Sequence, residues 1–240
     1  TWTEITRPFE VARVGIVQMG RGNYRLFTVR VATVGSPLRI AYSDDWGATW
    51  ISVTVGSVNG QGAGGFSFGR PTSLWLAASG GYVYRSVNGG AEWTAVHSGL
   101  YTTGDLNSVI FYDDVEGYVA GDGDKLLFTR DGGASWDLFT TGSGDDLTSV
   151  ATLGALALVG TSSGKLYAGD SGGVFNRIAT LSAAIVGVGF PGYAPQVMVA
   201  VTATAVYLSV NGGSAWRALV TGTFSHMTIE RSPFRLWVGA

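Results

Sequence analysis

The sequence contains no cysteine. That excludes disulfides, a catalytic thiol and thiolate metal sites. Lysine occurs only as Lys125 and Lys165, against thirteen arginines, and histidine only as His97 and His226. The two histidines lie far apart and form no metal-ligand spacing, so each is expected at the surface or capped rather than in catalysis. Proline is scarce, with 6 among 240 residues, and charged residues reach only 13%. A net charge of −2 leaves no electrostatic footprint for nucleic acid. No apolar run is long enough to span a membrane, no signal peptide opens the chain, and helix signals are nearly absent.

What is abundant is glycine, at 37 residues, and hydrophobic side chains, at 46%, the composition of a packed chain with many tight turns. The glycines fall in a pattern. An eight-residue box, Ser-x-Asp-x-Gly-x-x-Trp, occurs as Ser43–Trp50, Ser86–Trp93, Thr129–Trp136 and Ser209–Trp216, with a degenerate copy at Ala168–Phe175. The closing aromatics are 43, 43, 39 and 41 residues apart. Strand-like segments between turns at such a period predict an all-β propeller with one blade per repeat, occupying residues 1–240 as a single domain.

Each repeat divides into four strands, a to d. In the third they are predicted at Asn107–Tyr112, Gly117–Gly121, Lys125–Arg130 and Trp136–Thr140. Strand b recurs at Leu74–Ala78, Leu156–Gly160, Val197–Val201 and Leu236–Gly239. Strand c recurs at Tyr82–Ser86, Lys165–Gly169 and Ala205–Ser209. The first repeat is longer, with Tyr24–Thr33 as b and Leu38–Ser43 as c. Trp2-Thr3-Glu4-Ile5 matches the strand after each box and is an orphan d, while Phe224–Glu230 and Phe234–Gly239 are an orphan a and b. The prediction is five complete four-stranded blades plus a sixth, partial blade closed by the N- and C-terminal strands. Closure removes exposed sheet edges. The missing strand c leaves three readings: a longer chain, a three-stranded blade, or a strand inserted by a neighbouring subunit.

These repeats resemble the Asp-box (BNR) repeat of sialidases, some other glycoside hydrolases, sortilin-type receptors and photosystem II stability and assembly factors. The segment Glu116–Trp136 is most similar to the photosystem-assembly branch, and the resemblance covers nearly the whole chain. The box speaks for fold far more than for function. Asp45, Asn88, Asp131, Asp170 and Asn211 are expected to accept hydrogen bonds within their own turns, and Trp50, Trp93, Trp136, Phe175 and Trp216 to pack between blades. Asn at two of the five acidic positions argues for a structural role, since a metal-binding carboxylate would not tolerate it.

Alternating strands sort the loops onto two faces. The d–a and b–c loops share one face, where the resemblance implies an active site in the hydrolases. It collects Tyr101, Asp105, Asp122, Asp124, Asp145 and Asp146. These suit turn chemistry first, with paired carboxylates for glycoside hydrolysis or oxygen ligands for Ca²⁺ as alternatives. The sialidase pattern fails here: the nearest match to Phe/Tyr-Arg-Ile-Pro is Leu38-Arg39-Ile40-Ala41, and no arginine triad can be assigned. The boxes and a–b loops share the other face, where Phe68, Arg70, Phe190, Tyr193, Arg231 and Phe234 form a candidate protein-contact surface.

No enzyme constellation and no cofactor site survives this reading. The expected function is a non-catalytic scaffold that binds protein through one face. Two settings fit: an assembly factor, or a structural component of a larger particle such as a virion tail or capsid decoration, with self-association. The particle is favoured by the apolar loops, the incomplete blade and the lack of cysteine, and a cytoplasmic or virion location goes with it. The alternative is a glycan-binding or sialidase-like glycoside hydrolase propeller using the acidic face.

Overall fold

A computed structural model describes residues 11–20, 22–30, 36–59, 63–70, 73–98, 104–231 and 234–239. It is an all-β propeller. The first sheet contains β1 (Val11–Gly20), β2 (Asn23–Arg30), β3 (Pro37–Ser43) and β4 (Ile51–Asn59). The second contains β5 (Ala63–Arg70), β6 (Ser73–Ala78), β7 (Tyr82–Ser86) and β8 (Thr94–Ser98). The third contains β9 (Leu106–Phe111), β10 (Gly117–Gly121), β11 (Lys125–Thr129) and β12 (Asp137–Phe139). The fourth contains β13 (Leu147–Leu153), β14 (Leu156–Thr161), β15 (Lys165–Gly169) and β16 (Phe175–Thr180). The fifth contains β17 (Ile185–Gly189), β18 (Met198–Thr202), β19 (Ala205–Ser209) and β20 (Arg217–Thr221). A two-stranded sheet, β21 (His226–Arg231) and β22 (Phe234–Gly239), follows. Every pairing is between sequence neighbours and antiparallel, as hairpin-connected strands require. The orphan strand expected at Trp2–Ile5 lies outside the described residues.

The first strands of successive sheets lie side by side: β1 against β5, β5 against β9, β9 against β13, β13 against β17, and β17 against β21. They face a common centre. The second strands of the sheets between two neighbours are therefore covered on both faces. β6, β10 and β18 are buried at every position, which explains why Leu74-Trp75-Leu76-Ala77-Ala78 and Met198-Val199-Ala200-Val201 read as continuous apolar runs. The outer strands have one open face, and β20 is exposed throughout.

Aromatic rings fill the gaps between sheets. Trp75 of β6 stacks on Phe111 of β9, with centroids 3.6 Å apart and planes 6° apart, and Trp136 meets Phe111 edge-on at 6.3 Å. Such pairs add to the apolar area they bury. Strand bounds at β7, β10, β15 and β19 coincide with the expected ones, while β12 spans only Asp137–Phe139. Trp136 precedes that strand, and its ring folds back onto the preceding sheet, where Nε1 points to the Val96 carbonyl at 3.4 Å.

Candidate functional site

The innermost strands surround a cavity of about 1000 Å³, walled by β5, β9, β13, β17 and β21. A repeated device holds these strands together. Ser67 Oγ accepts the Phe111 N–H at 3.0 Å, Ser108 Oγ accepts the Val150 N–H at 3.2 Å, and Ser149 Oγ accepts the Val188 N–H at 3.2 Å. Each serine thus ties one innermost strand to the next. The fifth sheet carries Gly187 at this place, and a Cβ there would come within 2.7 Å of the Met227 Cβ, so Met227 takes the space instead.

The acidic residues of the d–a and b–c face are mostly built into turns. Asp105 Oδ1 accepts the Gly80 N–H at 3.2 Å, and Asp146 Oδ1 accepts the Gly123 N–H at 2.9 Å. Both are staples from the start of one sheet to the b–c turn of the sheet before it. Asp124 is buried. Burial would raise its carboxyl, but hydrogen bonds from the Thr141 hydroxyl at 2.6 Å, the Thr141 N–H at 3.0 Å and the Gly144 N–H at 3.2 Å outweigh it and hold the group below the usual range. Asp145 is lowered first by its hydrogen bond from Lys165 Nζ at 2.8 Å and then by Ser163 Oγ. Asp122 accepts from Asn107 Nδ2 at 2.9 Å and from the Asp105 N–H at 3.1 Å. Only Asp122 and Asp146 of this expected set line the cavity, and Tyr101 lies outside the described residues. Among the described residues, no three acidic, histidine or cysteine side chains gather as metal ligands.

His226 stands at the cavity wall beside Ser225. His97 takes the capped setting of the two expected: it is buried at 4% exposure, its Nδ1 lies 2.7 Å from the Gly81 carbonyl oxygen, and its ring meets Trp136 edge-on at 6.0 Å. It belongs to the packing between the second and third sheets.

The boxes form the c–d turns. Ser43, Ser86, Thr129 and Ser209 each accept the N–H of the glycine four residues on, at 2.7, 2.8, 2.9 and 3.0 Å. Asp45, Asn88, Asp131 and Asn211 likewise accept the N–H four residues on, at 2.8 to 2.9 Å. Hydrogen bonds from the Thr49 hydroxyl, the Thr49 N–H and Ser43 bring Asp45 down to about 2. Trp50, Trp93 and Trp216 donate Nε1–H to the carbonyl of the box glycine at 3.1 Å. The degenerate fourth box is a shorter turn in which Asp170 accepts the Gly172 N–H at 2.8 Å, and Phe175 packs against Tyr118 of the third sheet.

Three arginines each clasp one box, the second, third or fourth, to the sheet before it. Arg25 Nη1 donates to the Gly89 carbonyl at 2.6 Å, Arg85 Nη1 to Gly132 at 3.0 Å, and Arg130 Nη2 to Ser171. Each guanidinium also lies over a ring of its own sheet: Tyr42, Trp75 and Phe128.

Of the expected protein-contact residues, Tyr193 is 79% exposed. Phe190 is a correction: at 1% exposure it packs inward with Leu158 and Met198 and cannot meet a partner. The side chains of Phe68, Arg70, Arg231 and Phe234 lie outside the described residues. Sequence reasoning missed Trp46 and Tyr24, an exposed pair on the same face with centroids 5.5 Å apart. The signal was available: Trp46 occupies the box position held by Gly89, Gly132 and Gly212 in three other copies.

Comparison with known proteins adds the following. Residues 98–237 match the family model of the photosynthesis system II assembly factor YCF48. A xyloglucanase of Hypocrea jecorina (strain QM6a) is 30% identical over 207 residues, 84% of this chain. The chain spans only 22% of that enzyme's length. Among solved structures, the RRP9 WD40 repeats superpose with a TM-score of 0.74 at 12% identity, covering 95% of this chain and 72% of theirs. YCF48 bound to a D1 peptide superposes with a TM-score of 0.50 at 13% identity, covering 93% and 87%. At such identities the superpositions show the fold alone. No helix among the described residues is long and apolar enough to cross a membrane.

Proposed function

Because the chain belongs to the family of the photosynthesis system II assembly factor YCF48, we propose that it is a non-catalytic propeller scaffold, an assembly factor that binds another protein through the box face. One observation carries the reading. Every exposed large hydrophobic in a turn or loop among the described residues, Trp46, Val87, Val115, Val174, Tyr193 and Val210, sits on the box face. Exposed apolar side chains gathered on one side of a soluble surface mark a contact site. The peptide-bound YCF48 structure supports a protein partner in general, and the assembly setting is favoured here over a particle component. Panning a random 15-residue peptide library against the immobilised chain tests it. Enriched peptides that are lost on the triple variant Val87→Ser/Tyr193→Ser/Val210→Ser are expected; enrichment that ignores the triple variant refutes the box face as the contact.

A glycoside hydrolase is the second reading, favoured by the xyloglucanase likeness over 84% of this chain and by two carboxylates, Asp122 and Asp146, on the cavity wall. Release of reducing sugar from xyloglucan, abolished in Asp122→Asn or Asp146→Asn, would establish it. No release is expected, since both groups already accept hydrogen bonds, Asp122 from Asn107 of its own sheet and Asp146 from the Gly123 N–H of the sheet before it.

A further inference from the structure

Turn geometry does not require a tryptophan at position 46. The equivalent residues Gly89, Gly132 and Gly212 have φ of 67, 68 and 69°, and Trp46 adopts the same left-handed conformation at 59°. A residue bearing a Cβ takes that conformation against strain, and strain retained in a fold marks positions selected for something other than stability. Burial does not repay it, because the indole is 61% exposed and leans on a Tyr24 ring that is itself 39% exposed. The shelf faces outward with the other apolar turn residues of the box face.

Charge indicates what the shelf receives. Asp44 and Asp45 immediately precede Trp46, and Glu92 stands on the adjoining box turn, which Arg25 joins to the first sheet through the Gly89 carbonyl. Arg25 is already engaged: Nε and Nη2 hold Asp44 at 2.6 Å each, and the guanidinium lies 3.9 Å from the Tyr42 ring centre. Asp44 keeps 54% of its side chain exposed. Asp44 and Asp45 beside Trp46 in the chain, and Glu92 on the adjoining turn, outnumber the committed guanidinium of Arg25, and an exposed indole in such a setting suits a cation that can stack.

We propose that the Trp46–Tyr24 shelf docks a basic, apolar segment of a partner protein, with an arginine or lysine stacked on the indole and the segment's apolar side chains on the exposed turns of the same face. This rests on the protein-binding reading above. The test titrates the full chain, by tryptophan fluorescence and by calorimetry, with three 12-residue peptides of alternating Arg–Leu, Asn–Leu and Glu–Leu. Arg–Leu is expected to bind about tenfold more tightly than Asn–Leu, and Glu–Leu not at all. Trp46→Gly is expected to lose about tenfold in Arg–Leu affinity while its Tm holds or rises, since glycine is native to this turn position. Trp46→Asn, which also tolerates the left-handed conformation, serves if the glycine variant fails to fold. Equal binding of Arg–Leu and Asn–Leu, both sensitive to Trp46, overturns the charge assignment and leaves the scaffold reading standing. Binding unchanged in both Trp46 variants overturns the shelf. No binding of any peptide overturns this proposal, and the scaffold reading falls with it only if the peptide library also yields nothing.

Discussion

Ser67, Ser108 and Ser149 are small, polar and partly or wholly hidden, and each caps one N–H of the neighbouring innermost strand. Ser108→Ala leaves the Val150 N–H without that acceptor, and a buried donor stripped of its partner costs about 1–2 kcal/mol. Urea unfolding of Ser108→Ala and Ser149→Ala, compared with the control Ser214→Ala at an exposed box position where Ala48, Ala91 and Ala134 stand in other copies, measures it; equal midpoints for all three would contradict the bridge. The box carboxylates make a different residue-scale prediction. Asp45 and Asp131 are both depressed in the folded chain, first by a hydroxyl donor, Thr49 or Ser135 respectively, and then by that residue's N–H. A depressed carboxyl favours folding fully above its ordinary range, and the contribution drains away as pH falls from about 4 towards 2. Tm is therefore expected to be flat from neutral pH to about 5 and to fall on further acidification. Asp131→Asn copies Asn88 and Asn211, whose amide oxygens accept the same N–H. It should keep most of the Tm at pH 7 and weaken the acid limb, whereas Asp131→Ala should lower Tm at every pH.

Close approach of strands sets the demands at the scale of the element. A Cβ on Gly64 of β5 would stand 1.7 Å from the Leu106 carbonyl oxygen, and one on Gly65 would stand 2.7 Å from the Val109 nitrogen. Backbone cannot yield as a side-chain tip can. Gly64→Ala is thus expected to destabilise by about 3 kcal/mol or more, seen as a lower urea midpoint or as insoluble expression. This same scale shows what the sequence makes legible. The boxes mark the c–d turns because local hydrogen bonds write their own signature, and β7, β15 and β19 fall where turn residues bound them. The inward ring of Phe190, the buried His97 and the serine bridges involve partners in other elements; 16 residues separate His97 from Gly81, and 44 separate Phe111 from Ser67. No local pattern encodes them. Asp124 reads as an ordinary turn residue until its donors are traced to Thr141 and Gly144. Trp46 was legible by alignment of the boxes, as an aromatic in a glycine's place.

Over the whole molecule these devices are unevenly distributed. Serine bridges link the second sheet to the third, the third to the fourth, and the fourth to the fifth. Aspartate staples join the second to the third and the third to the fourth. At the fifth sheet the equivalents are Ala184, whose carbonyl accepts the Ala203 N–H as those of Asp105 and Asp146 accept theirs, and Gly187. The fifth sheet therefore offers no staple back to the fourth and no serine bridge on to β21, and its outer strand β20 is exposed at all positions. β22 carries Trp237 at 60% and Val238 at 36% exposure and pairs with β21 alone among the described strands. Cooperative units open in order of their local support, so opening is expected to begin at this end and to reach the third and fourth sheets last. Hydrogen exchange read peptide by peptide on the intact chain measures that order. Segments 217–221 and 234–239 should exchange first, and the buried strands β10 and β14 last. Converting Ala184 to Asp would add a staple where one is missing, and slower exchange of β17 to β20 in that variant would tie the gradient to the carboxylate itself. Unchanged exchange there, with β22 as protected as β10, would show that ring closure rather than blade-to-blade bonding governs the stability of the propeller.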